Sequence, residues 1–286
     1  MTPAVRNLGI FAAALVALFG LAVVAGRLLD PDAPVGEAAA DHSNRHSKEM
    51  RDMTSDQVRG LAVTENGLRL VIDDPQPRRG AVGQLRFRIV DRDGRAVRDF
   101  DIEHTKRMHM IVVRRDLTEF QHLHAAMGPD GTWSTPLRLH DAGSYRVFAD
   151  FSHEGRPTTL AGDLRVDGAA DLQALPAPQP VATSDGGYDV RLAAGATRPG
   201  RETMLRFTVT KKGRPVVVEP YLGAGGHLVA LREGDLAFLH IHPFEHAKGD
   251  SIGFEATFPT EGNYRLFLQF RVAGRVQTVA FTQEAR

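Results

Sequence analysis

Apolar residues run along this chain at two different spacings. Residues 8–26 are uncharged throughout, LGIFAAALVALFGLAVVAG, with Arg6 before them and Arg27 after. A helix needs roughly 20 such residues to cross a bilayer, whereas the core of a cleavable signal is about 7–15 long. The run therefore predicts a transmembrane anchor within residues 1–29, with cleavage after Ala25 or near Ala38-Ala39-Ala40 as the alternative. Beyond residue 58 the period becomes two. Leu85, Phe87 and Ile89 alternate with Arg86 and Arg88, and Leu205, Phe207 and Val209 alternate with Arg206 and Thr208. Segments 145–148 and 264–267 alternate likewise. This is strand periodicity, and turn-forming stretches at Arg92-Asp93-Gly94-Arg95 and Lys211-Lys212-Gly213-Arg214 punctuate it. No 3.6-residue stripe follows the anchor.

The same text occurs twice. His109 is followed at offsets of 13 and 15 by His122 and His124, and His227 at the same offsets by His240 and His242. Around them MHMIVVRRDLTEFQHLH matches GHLVALREGDLAFLHIH. GQLRFRIVDRDGRAV matches TMLRFTVTKKGRPV upstream, and AGSYRVFADF matches EGNYRLFLQF downstream. Gly143 pairs with Gly262, Tyr145 with Tyr264, Phe148 with Phe267 and Phe151 with Phe270. Between the copies, Pro176, Pro178 and Pro180 disfavour both helix and central strand and predict a semi-rigid connector. The expected order is an anchor or signal (1–29), a flexible polar linker (30–57), one β-domain (58–167), a Pro-rich linker (168–183) and a second β-domain (184–286). About seven short strands in about 100 residues predict an all-β fold: two tandem immunoglobulin-like or cupredoxin-like antiparallel sandwiches after one N-terminal transmembrane helix.

Charge and composition narrow the chemistry. The 35 basic and 35 acidic residues cancel, so nucleic acid is not an expected partner. Cysteine does not occur, which excludes disulfides, thiolate ligands and a Cys nucleophile. Arg6 precedes the apolar run while Asp30 and Asp32 follow Arg27, so the positive-inside bias leaves the N-terminus in the cytoplasm. The expected location is the cell membrane, single-pass, with both domains outside the cytoplasm; cleavage would secrete them instead.

The candidate chemistry lies with the histidines. A two-residue turn at Gly234-Asp235 sets His227 opposite His242, and the equivalent register sets His109 opposite His124. Opposed residues share a face, as do residues two apart, so His109, His122 and His124 would converge, and likewise His227, His240 and His242. Three neutral imidazoles suit a late first-row ion, copper ahead of zinc. Candidates for further ligands are His104, Met108, Met110, Met127 and His153 in the first copy and His246 in the second. Met108, Met110 and Met127 would make the first site the softer, better suited to Cu(I), with a place in the core as the alternative for Met110, which alternates with His109 along the strand. The linker residues His42, His46, Met50 and Met53 would align on one face of a helix as a copper-collecting set. No Asp or Glu recurs beside both triads as a general base, so catalysis is not expected.

The stretch EHTKRMHMIVVRRDLTEFQHLH, followed by DGTWSTPLRL and AGSYRVFADF, resembles bacterial exported β-sandwich proteins of actinobacterial type that carry an MH(M/L)IVV…HLHP motif. The resemblance covers the first domain well and the second more loosely. The motif's final Pro is Ala125 in the first copy, whereas Pro243 keeps it in the second. The resemblance implies copper or heavy-metal handling. The leading expectation is thus copper binding, buffering or resistance at the outer membrane face, where another extracytoplasmic metal-handling protein is a candidate partner. The alternatives are an adhesion or assembly scaffold with structural histidines and, behind it, a metalloenzyme with three His ligands.

Overall fold

A computed structural model of the chain describes residues 58–239, 241–243 and 251–286. The expected anchor, the 30–57 linker, and with them His42, His46, Met50 and Met53, lie outside those residues. No helix among the described residues is long and apolar enough to cross a membrane. Everything described is strand, turn or irregular chain.

The first repeat contains β1 (Thr64–Glu65), β2 (Leu68–Ile72), β3 (Gly83–Val90), β4 (His109–Arg114), β5 (Gln121–Leu123), β6 (Ala126–Met127), β7 (Trp133–Leu137), β8 (Gly143–His153) and β9 (Arg156–Val166). They form two antiparallel sheets, ordered β1-β2-β3-β7-β6 and β5-β4-β8-β9. The second repeat adds β10 (Val181–Thr183), β11 (Asp189–Ala194), β12 (Glu202–Lys211), β13 (Arg214–Pro215), β14 (His227–Arg232), β15 (Phe238–Leu239), β16 (His242–Pro243), β17 (Ser251–Thr257), β18 (Gly262–Val272) and β19 (Arg275–Ala285). Its sheets run β10-β11-β12-β17-β16, with the short β13 on β12, and β15-β14-β18-β19. The last residues of the expected linker are thus already the edge strand of the second sandwich.

This partition of strands is the immunoglobulin-like one. A second mark of that fold occurs twice. At the start of β8 the Tyr145 hydroxyl donates to the Asp141 carbonyl at 2.8 Å, and at the start of β18 Tyr264 donates to the Thr260 carbonyl at 3.0 Å. Each phenol is fully buried and hydrogen-bonded at its one polar tip, the tyrosine corner of immunoglobulin-like sandwiches.

Period-two alternation fills each core. Leu85, Phe87 and Ile89 of β3 meet Met110 and Val112 of β4 and Tyr145, Val147 and Phe151 of β8. In the second repeat Leu205, Phe207 and Val209 meet Leu228, Ala230, Tyr264, Leu266 and Phe270. The intervening residues of β4 and β14 are also buried, because the outer faces of the two β4- and β14-containing sheets lie against each other. Ile111, Val113, Leu117, Phe148 and Ala161 of the first repeat form one cluster with Val229, Leu231, Leu236, Phe238 and Phe267 of the second. The contacts are reciprocal. Phe120 stacks on Phe267 at 4.0 Å, and its counterpart Phe238 lies 5.4 Å from Phe148, the counterpart of Phe267. Residue i meeting j′ while j meets i′ is the signature of two-fold association, here between the duplicated halves of one chain.

Two irregular segments close over this seam. Gly60 sits at φ +71°, and a Cβ there would stand 2.7 Å from the Phe148 ring and 2.9 Å from Phe238, so only glycine allows the backbone so close. The Arg59 carbonyl accepts from the Phe238 N–H at 2.9 Å. The Pro-rich connector is held by a buried ion pair. Arg114 donates to Asp116 at 2.7 Å and to the Asp171 carbonyl at 3.0 Å, while Asp116 accepts from the Gln173 N–H at 2.8 Å. Burial pushes the Asp116 carboxyl up, but hydrogen bonds from Arg114, Gln173 and Thr118 outweigh it and hold the group at about 2.

The Arg114 and Asp116 side chains are 3% and 5% exposed, so removing one partner strands a buried charge. Asp116→Ala is expected to cost about 3–5 kcal/mol of stability and to expose the 168–180 connector to protease. Denaturant unfolding with limited proteolysis checks both; a loss below about 1 kcal/mol, as for a surface ion pair, would contradict the assignment.

Candidate metal centre at the seam

The histidines lie on the seam face. β4 pairs with β5 in the register Met110–Leu123, Ile111–His122 and Val112–Gln121, the one expected from the turn, and one further step sets His109 across from His124. β14 and β15 repeat it through Ala230–Leu239 and Leu231–Phe238. His109 therefore shares a face with Ile111 and Val113, and His227 with Val229 and Leu231. Because those faces are packed together, histidines from both repeats meet. His227 stacks on His109 at 5.5 Å between ring centroids and on His122 at 4.6 Å. Ring nitrogens of His109, His122 and His227 all lie within 4.8 Å of one another. His124 adds a ring 4.7 Å from His122 and 5.2 Å from His109.

Hydrogen bonds determine which nitrogens carry protons. His109 Nε2 lies 3.2 Å from the Glu103 carbonyl, and His122 Nδ1 lies 2.7 Å from Gln269 Oε1. The backbone carbonyl can only accept, as does Gln269 Oε1 in this orientation of its amide, so both nitrogens donate. Each neutral ring has a single N–H, which leaves lone pairs on His109 Nδ1 and His122 Nε2. Those two atoms face each other at 3.0 Å. Two lone pairs at that distance call for a cation between them, a proton or a metal ion. The Nε2 of His124 is also buried and makes no hydrogen bond. An imidazole that gives its far N–H to a carbonyl and turns its lone pair inward is oriented as metal ligands are.

Burial disfavours the proton. Desolvation, with repulsion from His109 and His124, pushes His122 down to about 3 against the pull of Gln269. His124 is pushed down to about 4, chiefly by burial. His109, 3% exposed, is lowered by burial against smaller opposing effects of the Glu103 carbonyl and the Asp150 carboxylate. At neutral pH the rings are uncharged and available as donors.

Of the candidate extra ligands, His104 approaches the group. Glu103 and Lys106 exchange backbone hydrogen bonds across a turn in which His104 and Thr105 have φ of 47° and 69°. This turn brings the His104 ring to 6.1 Å from His109 and 5.9 Å from His227. The equivalent turn of the second repeat carries Leu222. The thioethers do not join. Met108 and Met110 are buried in the first sandwich's core and Met127 packs against it. Residues 108 and 110 flank His109 on its strand, so the alternation that gathers the histidines turns both methionines the other way. The thioethers expected to soften the first site are therefore residues of the first core, and the ring nitrogens gather without them. His153 is also diverted, with Nδ1 2.7 Å from the Asp99 carbonyl and its ring against Phe100.

A further correction concerns His227. His227 was expected to serve the second repeat alone, whereas it joins His109 and His122 of the first. His240 and His246 lie outside the described residues. His242 pairs through its backbone with Glu255 in β17, and its side chain is likewise not described. Sequence reasoning missed Gln269 altogether; its only trace was its place two residues after Phe267 on the outward face.

The depressed imidazoles make the ion-free protein sensitive to acid. Above pH 6.5 His122 and His124 are neutral folded and unfolded, and they contribute no pH dependence. Between about 6.5 and about 4 the unfolded chain takes up protons that the folded chain refuses. Stability then falls by about 1.4 kcal/mol per pH unit for each ring. The decline levels off once pH drops below about 3, where the folded form is protonated too. Urea unfolding of metal-free wild type and His122→Gln at pH 7, 6 and 5 should give the shallower slope for the variant. Parallel slopes would show that His122 is solvated.

Comparison with known proteins adds a family and no activity. No curated protein matches the chain. Among solved structures, a Salmonella alpha-2-macroglobulin reacted with methylamine is 14% identical over 80% of this chain, with a TM-score of 0.28. This chain spans only 16% of that one. The Escherichia coli adhesin FdeC is 15% identical, over 77% of this chain and 65% of its own, with a TM-score of 0.27. A chimeric titin Z1Z2 tandem is 14% identical over 76% of this chain and 97% of its own, with a TM-score of 0.21. One family profile matches twice, over residues 62–168 and 182–286, once for each sandwich. The chain therefore belongs to the family described as Domain of unknown function (DUF8832), of which it carries two copies.

Proposed function

We propose that this is a non-catalytic metal-binding protein, tethered at the outer face of the cytoplasmic membrane, which takes up copper, or zinc in second place, at the histidine cluster. The observation that carries the reading is the set of His109, His122 and His227 nitrogens within 4.8 Å of one another, two of them with lone pairs directed inward by carbonyl acceptors. Imidazole is a borderline donor, and with no thioether beside it the set suits Cu(II), Zn(II) or Ni(II), copper binding tightest by the general affinity order. Buffering or resistance fits better than catalysis. A hydrolytic centre keeps a coordination position open to substrate, whereas here the rings of His104 and His124 stand beside the three. The tether rests on residues 8–26 and the flanking arginines, and a second extracytoplasmic metal-handling protein remains the candidate partner.

A scaffold role with structural histidines is the second reading, and Gln269 decides between them. Its amide nitrogen donates to the Thr278 hydroxyl at 3.1 Å, which leaves the oxygen facing His122. With the amide turned over, it would donate to His122 Nδ1 and accept from Thr278. The hydrogen-bond chain would then close with no cation. In that case the cluster would only cement two rigid modules.

Titration of the purified protein with Cu(II), followed by visible and electron paramagnetic resonance spectroscopy, separates the two. Wild type should give a copper signal with nitrogen ligands that His109→Ala/His122→Ala loses, and zinc should displace the copper poorly. Equal copper uptake by wild type and the double variant would leave the scaffold reading. For the tether, protease added to intact spheroplasts should digest both sandwiches; a protected C-terminus would reverse the orientation.

A further inference from the structure

We propose that the ion is shared by the two repeats and clasps them together, so that metal occupancy and docking of the sandwiches are one equilibrium. The inference rests on the metal-binding reading above and adds what the ion does. The first repeat supplies His109 and His122; the second supplies His227 and the Gln269 carbonyl. His109 and His227 open the equivalent strands β4 and β14, and they stack with their planes 8° apart. They are the same position of the duplicated domain, met across the pseudo-two-fold relation that also pairs Phe120 with Phe267 and Phe238 with Phe148.

Divergence after duplication made this joint asymmetric. Gln269 lies across from His227 on β18, and the matching position across from His109 on β8 is Asp150. Gln269 reaches over the seam to His122, whereas Asp150 accepts from the Thr159 hydroxyl at 2.6 Å within its own repeat. An amide oxygen can hold the His122 N–H without adding charge, which leaves that ring's inner nitrogen unprotonated. Two identical domains in a homodimer would carry the same residue at both places. The covalent duplication thus permits one residue that orients a ligand and one acid that offsets the charge of a bound cation.

Two consequences follow. A ligand set assembled only in the docked state has its affinity scaled by the docked fraction. Conversely, an ion that binds only the docked state stabilises it in proportion to occupancy. Packing residues of the seam that touch no ligand should therefore alter metal affinity.

The test is Cu(II) and Zn(II) competition titration of the full chain as wild type, His122→Ala, His227→Ala, Gln269→Leu and the seam variant Leu231→Ala. Protease sensitivity of the 168–180 connector is measured with and without metal. Loss of a ligand or of the residue orienting it should weaken binding by ~10–100-fold, in His227→Ala and Gln269→Leu as in His122→Ala. Leu231→Ala should weaken it by ~tenfold, and metal should restore protection of its connector. Should Leu231→Ala fail to fold, Gln269→Leu, which roughly keeps size and removes the amide with its contacts to His122 and Thr278, carries the test of the second repeat's contribution. Wild-type affinity in His227→Ala and Gln269→Leu, with loss only in His122→Ala, overturns the clasp and leaves a site confined to the first repeat. No uptake by wild type overturns the metal reading and the clasp with it.

Discussion

β4 and β14 are apolar on both faces, and a strand of that kind must find two dry surfaces. The inner face is covered by the opposite sheet of its own sandwich. For the outer face, the available surface of the same character is the duplicate in the other repeat. Each Phe, Leu, Ile or Val withdrawn from water there is worth roughly 1.5–3 kcal/mol, so the seam is a core in its own right. The strap around Gly60, the connector held by Arg114 and Asp116, and the reciprocal phenylalanine contacts all depend on it.

The same packing gives the histidines their chemistry. On an exposed hairpin they would titrate near 6.5 and be protonated in mild acid. In the seam burial pushes His109, His122 and His124 down from the usual imidazole range, and carbonyl partners on His109 and His122 turn the other nitrogen of those two rings inward. The result is a pair of inward nitrogens, His109 Nδ1 and His122 Nε2, 3.0 Å apart, beside the buried Nε2 of His124. Residues that keep water out of the seam therefore also keep protons off these nitrogens.

Much of this was legible in the residues because it is local. Alternation gave the strands, the repeated offsets of the histidines gave the duplication, and the Gly234-Asp235 turn gave the hairpin register, from which a shared face for His109, His122 and His124 follows. What escaped is non-local. MHMIVV and HLVAL are apolar at consecutive positions, which a sheet wetted on one side does not need. That run was the available sign of a second buried face, but it does not say what covers it. Proximity in the chain suggests the thioethers as extra ligands, although parity on the strand already points Met110 to the core, where the structure places it with Met108. Gln269 carries no metal-ligand chemistry of its own, so only the packing of the two repeats could bring it to His122.

The most direct measurement is anomalous diffraction at the copper edge from crystals of the protein grown with Cu(II). The account predicts a peak between the repeats, about 2.0–2.1 Å from the inward nitrogens, the usual distance from a late first-row ion to imidazole nitrogen. Both repeats should contribute ligands, with the Glu103 and Gln269 carbonyls still holding the outer N–H groups. Copper found only on exposed side chains, with no peak between the inward nitrogens of His109 and His122, would contradict it.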